Sequence, residues 1–202
     1  MPLLCNLNLA DGVKASIMTN EQEFQLIDRV LAGETNLYAE LVDQFKRYAF
    51  TIAFKILENK PDAEEATQDA FIKAFHHLKG FNREAKFSTW LYRIVFNTAV
   101  SHKRKRKGSF QSIETTVLEY DAGSESVLEK EDKTKFINAA LNNLNETDRI
   151  ALTLFYLKEF SLEEIGEIMQ MEPNTIKVRI HRARLKMADE LRSILNKEAL
   201  TL

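Results

Sequence analysis

The side chains best placed to do chemistry in this sequence are cations set among small polar and apolar residues near its end. Between Glu172 and Asp189 there are five basic residues, Lys177, Arg179, Arg182, Arg184 and Lys186, and no carboxylate. At about 100° per residue, Ile176, Ile180, Ala183 and Met187 fall on one face of a helix. Asn174, Val178, His181 and Arg182 lie opposite, with cations on both flanks. A DNA major groove is served by that arrangement: Arg binds guanine O6 and N7 together, Val touches a thymine methyl, and flanking cations meet phosphates. A merely solvated face would include carboxylates for i,i+4 ion pairs, and this one has none. Just upstream, Ser161 and Glu164 have the spacing of a capping box, Gly166 permits close helix approach, and Gln170-Met171-Glu172 is a tight turn before Pro173. The combination predicts a helix-turn-helix, with its second helix over about Asn174 to Leu195.

A second constellation is basic and aromatic. From Ala85 to Lys107 there are seven basic residues and no acidic one, accompanied by Phe81, Phe87, Trp90, Tyr92 and Phe96. Aromatics among cations suit single-stranded nucleic acid, whose unstacked bases can lie on a ring. On a helix, Leu91, Ile94, Val95 and Thr98 share a core stripe, while Arg93, Phe96, Asn97, Val100, Lys103 and Arg104 lie opposite. Phe96 beside Arg93 is thus a candidate stacking platform with Trp90 at its edge. Packing of each ring against another helix is the equal alternative.

The third constellation is acidic. Ala63, Ala66, Ala70 and Ala74 form the inward stripe of a helix, leaving Asp62, Glu65, Gln68 and Asp69 on a shared outer surface. Carboxylates repel DNA, so a protein partner is expected there. His76, His77, Glu64 and Glu65 do not make a metal site: adjacent histidines point to different sides of a helix, and no H-E-x-x-H spacing occurs. No cofactor or metal is expected. The single Cys excludes an internal disulfide framework.

These residues need helices to hold them. The chain has 202 residues, 28 basic and 30 acidic, with 13 Phe but only six Gly and three Pro. That composition favours an all-α protein over one needing many turns. Residues 108–132 hold seven carboxylates, one Lys and few large apolar side chains, and read as a flexible acidic linker. The expected plan is a tail over 1–18, a helical bundle over 19–107, the linker, and a second bundle over 133–202. In the first bundle a helix runs from Glu21 to Leu31, with Thr19 and Gln22 as its cap. A second carries Leu41, Phe45, Tyr48, Ile52 and Ile56 and ends at Pro61; a third starts from an Asp62–Glu65 capping box and reaches Leu78; a fourth starts at Ser88. The second bundle has helices over Phe136–Leu144, Glu146–Leu157 and Leu162–Met169 before the reading helix. No strand pattern is evident. Residues before Met18 lack the basic start of a signal peptide, and no apolar run approaches the roughly 20 residues that span a bilayer. Membrane insertion is not expected, and the cytoplasm is the expected compartment.

Four motifs in order complete the reading. Asp62-Ala-Glu-Glu-Ala-Thr-Gln-Asp-Ala-Phe, Phe87-Ser-Thr-Trp-Leu-Tyr-Arg-Ile with Asn97, the basic run Lys103 to Lys107, and Ile165-Gly with Thr175-Ile-Lys-Val-Arg-Ile-His-Arg-Ala-Arg resemble bacterial extracytoplasmic-function (ECF) sigma factors of the sigma-70 superfamily. The resemblance covers about Glu21 to Leu195. It implies a protein, not itself an enzyme, that binds core RNA polymerase, recognises −10 and −35 promoter elements and promotes melting. By that analogy Glu65, Gln68 and Asp69 grip the polymerase clamp. Phe81, Phe87, Ser88, Trp90, Arg93, Phe96, Asn97, Lys103 and Arg104 serve the −10 element and strand capture. Lys177, Val178, His181 and Arg182 read the −35 element, with Thr175, Arg179 and Arg184 at phosphates. The acidic linker is expected to thread towards the polymerase active site, and an anti-sigma factor is a further expected partner. His102 departs from the pattern, standing where the family often has Asp. The rival expectation is a helix-turn-helix regulator that works without polymerase as an obligate partner.

Overall fold

A computed structural model describes residues 18–108, 136–157 and 160–199. The tail before Met18 and all of the expected linker except Gly108 lie outside these residues. The described chain is all-α, with no strand.

α1 spans Asn20–Leu31. Thr19 caps it as expected: its hydroxyl accepts from the Gln22 amide and the Gln22 side chain accepts from the Thr19 amide, which satisfies two of the first-turn donors. Gly33 turns the chain at φ +115, a backbone conformation in the left-handed half of the map. A single 3-10 turn, Thr35–Leu37, leads into α2, Tyr38–Leu57, which buries Leu41, Phe45, Ala49, Ile52, Ala53 and Ile56 along one stripe.

α3 spans Lys60–His77 and begins two residues before the expected capping box. Asn59 is the true cap, accepting from the Asp62 amide at 3.0 Å, with Pro61 tolerated inside the first turn because its missing N–H would have no helical partner there. Asp62 is therefore free to pair elsewhere. Ala63, Ala66, Ala70 and Ala74 are fully buried. Methyl-sized side chains let α3 lie close to both α2 and α4, the helices it packs against most extensively.

α4, Phe87–Gly108, closes this first bundle. Leu91, Tyr92, Val95, Thr98 and Ala99 are buried along it. At its start Phe87 packs edge-on against Phe45 at 5.4 Å and against Phe81 at 5.5 Å, and Phe81 continues to Phe24 at 5.9 Å.

The second bundle comprises α5 (described over residues 136–142), α6 (Glu146–Leu157), α7 (Leu162–Met169) and α8 (Pro173–Ala199). The Ser161–Glu164 capping box is present, and α7 ends at Gln170 in the left-handed region, φ 56. Ile165, Ile168 and Met169 of α7 join Ile176, Ile180, Ala183 and Met187 of α8 in the core. The two bundles touch: α7 lies on α4, and α6 on α2.

Gly166 is where α7 needs glycine. A Cβ there would meet the Met171 carbonyl oxygen at 2.6 Å, because the turn folds straight back over the helix. Gly166→Ala should therefore destabilise the chain by about 1–3 kcal/mol, the usual cost of overpacking. Gly80→Ala, where a Cβ meets nothing within 4 Å, should be neutral or stabilising by up to about 1 kcal/mol. Urea melts of the two variants check this; equal destabilisation would remove the packing argument.

Candidate nucleic-acid interface

α8 begins immediately after the turn, so its first residues project from the bundle. Thr175, Lys177, Val178, His181, Arg182 and Arg184 are exposed, while Ile176, Ile180, Ala183 and Met187 anchor the opposite face. Val178 is 53% exposed on that face. The Arg184 guanidinium lies over the Tyr156 ring at 5.9 Å, which orients it without hiding it. Leu185, 56% exposed and one turn beyond His181, extends the same face and was missed in the sequence because leucine there reads as an ordinary core residue.

Arg179 must be corrected. Expected at a phosphate, it is half-buried and donates to Asp148 at 2.9 Å. Asp148 is itself buried and also accepts from the Asn145 amide group at 2.6 Å, so the pair ties α8 to the start of α6. Helical periodicity gives no sign of this, because the acid that claims it is 31 residues away.

The second constellation divides. Phe81 and Phe87 are 7% and 1% exposed and belong to the aromatic core, which corrects their expected contact with bases. Ser88 is half-buried. Trp90 is also half-buried, its ring tilted against Phe81 at 5.4 Å and Phe87 at 5.6 Å; one side of it is supported by the core. Phe96 is half-buried rather than outward, because α7 covers that side of α4. Arg93, Asn97 and Arg104 are exposed. Lys103 is not a free cation: its ammonium donates to the Ile56 carbonyl at 2.7 Å and to Glu146 at 2.5 Å.

The acidic surface also divides. Glu65 and Gln68 are exposed, one turn apart on the outer face of α3. Asp69 is paired with His102 at 2.9 Å and Asp62 with Arg106 at 2.6 Å. The residue that departs from the family pattern, His102, thus has a structural partner across α3 and α4. Ile72, 56% exposed, and Phe75, 37% exposed, continue the face of Glu65 and Gln68 towards the end of α3. Among the described residues no group of three or more His, Cys, Asp or Glu could hold a metal ion, and no helix is long and apolar enough to cross a membrane.

Comparison with known proteins identifies the family. Residues 41–109 match the family model for sigma-70 region 2, and residues 137–187 match that for sigma-70 region 4. The ECF RNA polymerase sigma factor SigW of Bacillus subtilis is 31% identical over 179 residues, covering 83% of this chain and 96% of that protein. The RNA polymerase sigma-H factor of Pseudomonas aeruginosa is 29% identical, covering 89% and 98%. Among solved structures, the sigma factor RpoE in complex with the anti-sigma factor NepR from Bartonella quintana superposes with a TM-score of 0.62 at 24% identity, covering 77% of this chain and 96% of that one. CnrH in complex with the cytosolic domain of CnrY gives 0.61 at 20% identity, covering 84% and 96%. The two structures share the helical fold. With two sigma-70 regions in order along it, and a 31% identical relative matched over almost its whole length, this chain belongs to the ECF sigma factors of the sigma-70 family.

Proposed function

We propose that this chain directs transcription initiation by dividing promoter recognition between its two bundles, each suited to a different form of DNA. Its partners are core RNA polymerase and promoter DNA; RNA synthesis is the polymerase's own chemistry, and the natural setting is the cytoplasm. The observation that carries the reading is the exposed, carboxylate-free face of α8, held against α7 by a turn that only glycine permits.

In this reading α8 enters the major groove at the −35 element. Lys177, Val178, His181 and Arg182 face base edges, while Thr175 and Arg184 meet the backbone. Arg179 acts from inside, fixing the helix through Asp148. In the first bundle Arg93, Asn97, Trp90 and Arg104 present the −10 surface, with Phe81 and Phe87 supporting the Trp90 ring. Bases leaving the duplex gain a stacking surface there, which favours the opened strand. Glu65 and Gln68 form the exposed part of the polymerase-docking face, and Asp69 contributes through its link to His102. The RpoE structure was solved with an anti-sigma factor, and a partner of that kind is part of this proposal. A regulator working without polymerase leaves the region 2 match and the exposed α3 face without a purpose.

Run-off transcription with core polymerase, followed by 5′-end sequencing, tests the reading directly; no promoter-specific transcripts would refute it. Making the face basic with Glu65→Lys and Gln68→Lys should abolish capture of core polymerase in a pull-down while leaving the thermal melt within a few degrees, since exposed side chains contribute little to folding. Arg182→Ala should cost about 1–3 kcal/mol at one −35 base pair and relax the preference there, whereas Arg184→Ala should weaken all sequences alike. A −35 substitution series with unchanged preferences in Arg182→Ala would refute the base-reading assignment.

A further inference from the structure

We propose that α1 is a working part of the −10 surface: Asp28 and Phe24 are positioning residues that hold Arg83, and with it the approach to α4, so that the Trp90 ring meets an unstacked base in one orientation. The inference rests on the proposed role of Trp90. α1 precedes residue 41, where the match to sigma-70 region 2 begins.

Among the described residues three other than glycine have a positive φ: Glu58, Arg83 and Gln170. Glu58 and Gln170 close the C-termini of α2 and α7, where a left-handed residue is an ordinary way to end a helix. Arg83, at φ 62, lies instead in the segment that joins α3 to α4, and it ends no helix. Glycine would take up that backbone without steric cost. An arginine there is strained, and strain of this kind persists only where surrounding contacts over-determine the conformation.

Those contacts come from α1. The Arg83 guanidinium is ion-paired with Asp28 and lies over the Phe24 ring, 5.5 Å from its centroid. Phe24 and Asp28 are four residues apart and so share one face of α1. A planar guanidinium can stack on the ring and bond the carboxylate in a single pose, which an ammonium cannot do. Beside it the segment is tied to itself: the Asn82 amide group donates to Glu84 at 2.6 Å, and the Asn82 side-chain oxygen accepts from the Glu84 amide at 3.3 Å. Phe24 also meets Phe81 at 5.9 Å, and Phe81 meets Trp90 at 5.4 Å. One ring of α1 thus touches both the strained residue and the ring that supports Trp90.

The anchor selects a conformation and adds little to folding. Arg83 and Asp28 keep 39% and 55% of their side-chain surface exposed, and ion pairs so placed contribute little to stability. The Arg83 charge is met by Asp28, which suits a support for the surface better than a phosphate contact.

Three full-length variants separate positioning from folding. Arg83→Gly accepts the left-handed backbone and removes the anchor. Asp28→Asn keeps the shape and removes the charge. Asp28→Arg/Arg83→Asp exchanges the charges: the new arginine is again one turn from Phe24, and aspartate tolerates the left-handed region better than most residues. Thermal melts of all three should stay within a few degrees of wild type. Trp90 is the only tryptophan in the chain, so its emission reports this site alone. Time-resolved anisotropy of the free chain should show a larger local rotation of Trp90 in the two single variants and the wild-type value in the exchange. With core polymerase, permanganate reactivity of promoter thymines should fall about fivefold in both single variants, the lower end of what one base–aromatic stack is worth, and recover in the exchange. Wild-type anisotropy and full promoter opening in both single variants would overturn the proposal. A loss of opening that the exchange does not recover would overturn positioning as well, because Arg83 would then meet DNA itself. If wild-type chain with core polymerase opens no promoter, the proposed function fails, and the anisotropy of the free chain still decides whether α1 holds Trp90.

Discussion

Everything in the first bundle depends on how closely α3 can approach its neighbours. Four fully buried alanines at Ala63, Ala66, Ala70 and Ala74 set that distance, and a larger side chain at any of them would push α3 away from α2 and α4 together. The close approach brings the polar edges of α3 and α4 within reach. Asp62 then meets Arg106 and Asp69 meets His102, although each pair is far apart in sequence. The same packing leaves Glu65, Gln68 and Ile72 as the surface that can only look outward. One steric constraint therefore decides which acids stabilise the fold and which remain available to a partner.

The aromatic residues follow a similar division. Phe45, Phe81 and Phe87 form a buried chain of edge-on contacts, and Trp90 rests on its rim. A ring held on one side by other rings is fixed in orientation and loses little freedom when a base stacks on its open side. In the second bundle the supporting role falls to an ion pair: Arg179 and Asp148 join α8 to α6, so the exposed cations project from a helix whose rotation is fixed.

The helices, the capped start of α7 and the exposed face of α8 were legible in the sequence because each depends on periodicity within one segment. Thr19 with Gln22 and Ser161 with Glu164 satisfy local backbone donors, and a 3.6-residue repeat assigns Ile176, Ile180, Ala183 and Met187 inward whatever surrounds them. The start of α3 was misread because Asn59, Asp62 and Glu65 offer overlapping caps, and only the folded backbone selects Asn59. Tertiary structure alone decided the fates of Arg179, Lys103, Phe81 and Phe87. Arg179 and Lys103 sit on plausible outer faces and Phe81 precedes the helix, yet a partner distant along the chain claims each of the four: Asp148, Glu146 or the aromatic core. A cation or ring carries the same chemistry in either setting; what separates contact from support is the three-dimensional position of the next group, and helical periodicity does not encode that position.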